Sequence, residues 1–346
     1  MPELPELEVA RERLGEALGG RRIVRAAALD PFLLRTVEPP LSAVVGARVT
    51  GARRRGKHLL LDVERGLSLA FHLMRAGRLR LKDARKFKPH RKRTLFVLEV
   101  EGALLLEMTE AGTERRATLR VLRADALPPD LDRGIEPMGG ELTVGALGAA
   151  LRAENRRVKN ALRSPDVVAG VGNAYSDEIL HAARLSPMRE TRRMTDEEMA
   201  RLAGAIVATL GTWIERVRAA CPPGTLPEKQ DLWRKDFRVH GKAGQTCPVC
   251  GATIERISYV DAETDYCPTC QTGGRLLADR RLSRLGIRRS AGSRTLAGDG
   301  VPCESSPLDA AGSPPKEDRW ATPRRPKPRK PRARPKGPDS SRDAGG

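Results

Sequence analysis

Two cysteine pairs, Cys247-Pro-Val-Cys250 and Cys267-Pro-Thr-Cys270, constrain this chain most, because only sixteen residues separate them and these include one short strand-like segment. That is the spacing of a four-thiolate structural zinc site, in which each pair makes a knuckle whose backbone N–H groups face the sulfurs. A redox dithiol is the competing reading, but two matched pairs flanking one strand-like segment, 253–260, argue against it. The other cysteines, Cys221 and Cys303, have no such partners and read as free thiols. Six cysteines in a chain with no export signal do not suggest a disulfide framework.

The length of 346 residues allows two or three domains, and an apolar content of 39% supports real cores. There is no run of 18 apolar residues, and the first twenty residues carry charge throughout. The chain therefore reads as a soluble cytoplasmic protein with neither membrane span nor signal peptide. Its 63 basic residues against 44 acidic ones give +19, which points to a polyanionic partner, nucleic acid by default. With aromatics at only 3%, base contacts would rest on arginine, methionine and leucine more than on stacking.

The start of the chain, Met1-Pro2-Glu3-Leu4-Pro5-Glu6-Leu7-Glu8, carries its own chemistry. Removal of Met1, which a small second residue permits, leaves Pro2 as a secondary amine. An α-amino group titrates near ~7.7–8.0, so a useful fraction is unprotonated at neutral pH. Attack by such an amine on a sugar C1′ or an aldehyde gives an iminium ion, an electron sink that lets a base leave and neighbouring C–O bonds break. Glu3 and Glu6 would move protons and hold the sugar. Alternatively, Pro2 and Pro5 only start a helix whose dipole the acids offset.

The apolar pattern divides the rest. Residues 5–18 place Leu7, Ala10, Leu14 and Leu18 on one helical face, ended by Gly19-Gly20. From 22 to 125 short β-like runs follow, including 22–29, 58–63, 67–73, 94–100 and 103–108, as in an antiparallel sandwich or barrel. Helical character returns over 144–153, 158–163, 175–183 and 196–218. Beyond residue 288 the chain is rich in Pro, Gly, Ser and Arg, reads as disordered, and includes eight basic residues and no acid over 324–336. That stretch suits non-specific phosphate binding or serves only as a solubilising tail.

Together the start, the helical centre and the zinc pairs resemble the formamidopyrimidine-DNA glycosylase and endonuclease VIII family of base-excision repair enzymes, over residues 2–274. The resemblance implies an α+β protein: an N-terminal helix and antiparallel β-sandwich (2–130), a helix-two-turns-helix domain (131–235), a zinc finger (236–274) and the basic tail (288–346). It implies Pro2 as nucleophile, Glu3 as the acid that protonates the sugar ring oxygen, and Glu6 as its partner. Lys57, in Arg53-Arg54-Arg55-Gly56-Lys57-His58, matches a hairpin lysine that reaches the active site. Lys159 and Asn173, the latter after Gly170-Val-Gly172, match phosphate-binding positions of the helix-two-turns-helix motif, where Glu178 has a structural or gating role. The implied partner is damaged double-stranded DNA with the target nucleotide flipped out, bound by a monomer associated with the nucleoid; the implied cofactor is one structural zinc held by Cys247, Cys250, Cys267 and Cys270.

Three segments depart from the family pattern. In His72-Leu73-Met74-Arg75, methionine stands one position early, so either Met74 or Arg75 fills the gap left by the flipped nucleotide. The second wedge loop, 109–117, has no phenylalanine, leaving Arg115 or Arg116 to reach the opposite strand. Ala262 stands where family members carry a phosphate-gripping arginine, with Lys242, Arg256 or the tail as substitutes. These departures motivate an alternative, a non-catalytic or altered-specificity relative that binds damaged DNA. A zinc-ribbon RNA-binding protein would explain the charge and the cysteines but leave the chain start unexplained.

Overall fold

Helix α1 (Leu4–Leu18) opens the chain because Pro5 fits its first turn and the Glu6 carboxylate reaches back to the Glu3 N–H at 2.9 Å. Gly19 ends it: a Cβ there would lie 2.6 Å from the Gly15 carbonyl oxygen. The computed structural model describes residues 1–111, 115–125, 127–259 and 262–278. The 288–346 tail and Cys303 lie outside the described residues.

Two antiparallel four-stranded sheets follow. One has the order β1 (Ile23–Ala28), β6 (Thr94–Val100), β7 (Leu104–Glu110), β5 (Gly77–Asp83). The other runs β2 (Val49–Arg55), β3 (His58–Val63), β4 (Leu67–His72), β8 (Thr118–Arg123). Their shared core contains Leu59, Leu61, Leu69, Phe71, Phe96, Leu98, Leu106 and Met108, with the Phe71 and Phe96 rings edge-to-face at 5.6 Å. The strands absent from the sequence reading, β2, β5 and β8, are all edge strands. β5 alternates arginine or lysine with leucine, while β2 ends in three arginines and β8 sets arginines among its apolar residues, so none has a continuous apolar run.

The helical part comprises α2 (Val144–Ala153), α3 (Val158–Arg163), α4 (Asn173–Ala182), α5 (Asp196–Ala220) and the short α6 (Asp231–Arg234). Helix α5 begins with a capping box between Thr195 and Glu198. The second core, around Tyr175, Leu202, Ile206, Leu210 and Trp213, also takes in Leu4 and Val9. Helix α1 is thus shared: Leu7, Ala10, Leu14 and Leu18 belong to the sandwich, while Leu4 and Val9 belong to the helices. A last hairpin, β9 (Glu255–Ser258) with β10 (Glu263–Tyr266), precedes α7 (Pro268–Thr272). Among the described residues no helix is long and apolar enough to cross a membrane.

Candidate active site

The first residues of α1 meet the first residues of α4 at one carboxylate. Glu3, 3% exposed, accepts hydrogen bonds from the backbone N–H groups of Gly172 (2.6 Å), Ala174 (3.0 Å) and Tyr175 (3.3 Å). These are orphan donors at a helix start, where the dipole also favours an anion. Gly172 is required by proximity, since a Cβ on it would lie 2.4 Å from the Glu3 carboxylate carbon. Gly170, at φ +86°, brings the preceding turn against Leu4 and accepts the Leu4 N–H at 3.1 Å. Pro2 is buried beside this clamp.

Glu6 is 1% exposed and its oxygens are occupied by the protein. Oε1 accepts from Tyr175 OH (3.1 Å), Trp233 Nε1 (3.0 Å) and Arg234 Nη2 (3.2 Å), and Oε2 from the Glu3 N–H. The carboxylate therefore orders the chain start and these three donors, with three of its four bonds gathered on Oε1. Burial first, and then Glu6, pushes the Tyr175 hydroxyl up, so it is a neutral donor. Nothing local in the sequence marked Trp233 or Arg234, which lie more than 220 residues from Glu6.

Lys57 sits at the tip of the β2–β3 hairpin, after Gly56 at φ +54°. It lines a cavity of about 340 Å³ together with Met1, His58, His72, Met74, Arg133 and Gly170. Burial lowers the Lys57 ammonium below its ordinary value, with Glu3 opposing that shift. The His58 and His72 rings lie 4.6 Å apart beside it, tilted by 57°, and burial pulls both down to about 4, so both are neutral at pH 7. Sequence reading passed over this pair; His58 and His72 are directly opposite each other on β3 and β4. In the loop between β4 and β5, Met74 lines the cavity at φ +49° while Arg75 is exposed at the tip. Arg115 is ion-paired to buried Asp30 and donates to the Lys92 carbonyl at 2.8 Å; Arg116 is exposed, and its backbone N–H meets Glu110 at 3.0 Å.

Lys159 and Asn173 converge on the hairpin instead of on open solvent. Lys159 Nζ donates to Asp177 Oδ1 at 2.6 Å and to the Glu263 carbonyl at 2.8 Å, and Asn173 Nδ2 donates to the same carbonyl at 3.0 Å. Asn173 Oδ1 is buried without a partner. Arg256 is engaged by Asp265 at 2.7 Å and Glu263 at 2.9 Å, so it does not offer the free cation lost at Ala262. Glu178 accepts three backbone N–H groups, from Arg238, Val239 and His240, at 2.8–2.9 Å, and thereby fixes the strap into the zinc module.

The four cysteine sulfurs converge. Cys250 and Cys267 lie 3.3 Å apart, and Cys247 and Cys270 lie 3.9 Å apart, close to the ~3.8 Å edge that four Zn–S bonds of about 2.3 Å require in a tetrahedron. Burial pushes the Cys267 thiol up to about 11, with the crowding sulfurs of Cys250 and Cys247 adding to it, and a dication would relieve that crowding by holding all four as thiolates. The residues fit one structural zinc. His181, on α4, places Nε2 3.4 Å from Cys247 Sγ, within reach of an N–H···S bond to a ligating sulfur. The sequence reading missed this contact because His181 lies 66 residues from Cys247.

The chain as a whole has matches among known proteins. Three family models match the chain: the formamidopyrimidine-DNA glycosylase N-terminal domain at 1–114, the formamidopyrimidine-DNA glycosylase H2TH domain at 133–221, and the zinc finger found in FPG and IleRS at 244–273. The formamidopyrimidine-DNA glycosylase of Roseiflexus sp. is 35% identical over 284 residues, covering 78% of this chain and all of that protein. Among solved structures, the Lactococcus lactis Fpg bound to abasic-site DNA is 26% identical with a TM-score of 0.69, covering 78% of this chain and 99% of that one. A Lactococcus lactis FPG mutant bound to Fapy-dG DNA is 27% identical with a TM-score of 0.70, covering 78% and 100%. With the clamped glutamate, the hairpin lysine and the four-cysteine centre on one scaffold, and a relative matched along its whole length, this chain belongs to the formamidopyrimidine-DNA glycosylase family.

Proposed function

We propose that this protein is a bifunctional base-excision-repair enzyme that removes damaged bases from double-stranded DNA and then cuts the strand at the abasic site. The observation that carries the reading is the Glu3 carboxylate, held by three N–H groups of α4 next to Pro2, with the Lys57 ammonium close enough to feel its charge. Pro2, freed of Met1, attacks C1′. Glu3 takes the proton that the Pro2 nitrogen loses and passes it to the sugar ring oxygen as the ring opens, and the base departs, protonated by solvent, as the iminium forms. The iminium acidifies the C2′ protons, and β- and then δ-elimination expel the two phosphates. Lys57, with the neutral His58–His72 pair beside it, faces the phosphate next to the lesion, and Met74 and Arg75 fill the vacated stack. Glu6 acts by ordering the chain start. The zinc thiolates keep the β9–β10 hairpin folded and take no part in bond breaking. The relatives bound to abasic-site and Fapy-dG DNA favour abasic and ring-opened purine substrates, and the surface excess of cations suits a nucleoid-associated monomer.

The test is borohydride trapping on a duplex with one abasic site, with mass analysis of the linked peptide and Pro2→Gly as control. An adduct on Pro2 is expected. No adduct from protein lacking Met1, with duplex binding intact, would favour a second reading, a damaged-DNA-binding relative without catalysis. Ala262 in the usual arginine position is the observation behind that alternative.

A further inference from the structure

The Met1 carbonyl carbon is bonded to the Pro2 nitrogen, the atom that would bond to C1′, so it stands near the place C1′ would take in an adduct. The tetrahedral adduct formed by attack on an aldehyde carries an oxygen on C1′, and the Met1 carbonyl oxygen lies in the region within reach of that oxygen. Arg234 donates from Nη2 to the Met1 carbonyl oxygen at 3.3 Å and, from the same nitrogen, to Glu6 Oε1 at 3.2 Å.

We infer that Arg234 binds the oxygen carried on C1′ of the Pro2 adduct and stabilises the negative charge that develops there when an abasic aldehyde is attacked. The inference rests on the reading of Pro2 as nucleophile. The nitrogen lone pair forms the N–C1′ bond and the C=O π pair moves onto oxygen, opposite the guanidinium. The proton lost by nitrogen ends on that oxygen, a second proton from solvent completes a water molecule, and the water leaves as the C1′=N⁺ bond forms. Arg234 keeps its proton throughout, as a guanidinium must.

The surroundings suit a fixed donor. Trp233, 2% exposed, anchors α6 through its bond to Glu6, and the Arg234 guanidinium carbon lies 5.8 Å from the centre of the Phe237 ring. Arg234 Nε is buried with no partner, so the guanidinium is held along one edge only. Arg78 lines the far side of the small pocket formed with Pro2 and Glu6, and its guanidinium donates to the backbone carbonyl of Gly77 at 2.7 Å. Glu6 cannot serve the C1′ oxygen in Arg234's place, since it is an acceptor there and its oxygens are already occupied.

The experiment compares single-turnover trapping on an aldehydic abasic duplex with affinity for a duplex carrying tetrahydrofuran, which has no hydroxyl or carbonyl oxygen at C1′ beyond the ring oxygen. Arg234→Gln should slow trapping about 100-fold, the usual loss on removing one preorganised donor from a developing oxyanion. Its affinity for the tetrahydrofuran duplex should stay within about threefold of wild type, since only the absent oxygen distinguishes the substrates. The loss should persist in a Glu6→Gln background. Arg234→Lys should retain an intermediate rate, so the comparison survives a glutamine variant that fails to fold. Trapping within threefold of wild type would overturn the inference. So would an equal loss on both duplexes, which would make Arg234 a phosphate ligand, or a loss that vanishes in the Glu6→Gln background, which would make it a positioning residue. Failure of the wild type to trap at Pro2 would instead remove the reading on which the inference rests.

Discussion

Glu3 shows how much one side chain can carry. Its carboxylate closes the start of α1 against the start of α4, so the placement of the proposed acid and the junction of two cores depend on the same three hydrogen bonds. Gly172→Ala would drive a methyl group into that carboxylate. Displacing it forfeits charged hydrogen bonds worth about 1.5–3 kcal/mol each, so trapping should fall at least 100-fold. Single-turnover kinetics would check this, with Gly204→Ala, on the open face of α5, as a control that keeps wild-type rate. The His58–His72 pair makes a separate prediction. Both rings titrate near 4 in the folded protein against 6.5 in the unfolded chain. Between those values the unfolded chain binds more protons, so this stability is complete above about pH 6.5 and is lost as pH falls through the window. The loss from pH 7 to 5 should be on the order of 2 kcal/mol per ring. Urea titrations at the two pH values would measure it, and His72→Gln should flatten the difference.

At the scale of elements, α4 is the member on which the others converge. Its first turn clamps Glu3, its middle holds Asp177 and Glu178 against the strap and the hairpin, and its last turn presents His181 to the cysteines. The β9–β10 hairpin has little core of its own beyond Ile257 and Tyr266 with Leu277, so the metal must supply much of its stability. Cys267→Ser should lower bound zinc from one per chain to a small fraction, measured by elemental mass spectrometry. Affinity for a tetrahydrofuran duplex should fall about tenfold or more, as for loss of a positioned hairpin. Far-UV circular dichroism of the sandwich should be retained, because its core does not include the zinc module. Cys221→Ala, remote from the cluster, should leave the zinc content at one.

At the scale of the whole molecule, charge is the dominant quantity. A surplus of +19 means that long-range attraction to DNA does not depend on any one arginine, while the 324–336 segment, outside the described residues, concentrates eight of the cations. Each phosphate neutralised contributes about −0.9 to the slope of log affinity against log salt. A chain ending at residue 278 should therefore show a slope shallower by about 3 or more, read by fluorescence anisotropy between 50 and 200 mM salt, with an unchanged trapping rate at saturating enzyme. A truncated chain with the full-length slope would show that the tail stays off the duplex.

What the sequence determined by itself was whatever depends on spacing and period. The cysteine pairs, the proline-led helix start with its acids, the amphipathic α1 and the central strands are local patterns, and each appears where the pattern put it. The edge strands β2, β5 and β8 escaped because arginine, lysine, threonine or glycine interrupts their apolar residues, which erases the apolar run without weakening the hydrogen-bond ladder. Tertiary structure alone decided who partners whom. Glu6 looked like a sugar ligand beside Pro2, but Tyr175, Trp233 and Arg234 arrive from far along the chain to satisfy it. Lys159 looked like an open phosphate ligand, but its ammonium is buried and donates to Asp177 and to the Glu263 carbonyl. A buried charge must find its counterpart wherever the fold brings one, and nothing in linear spacing encodes that meeting.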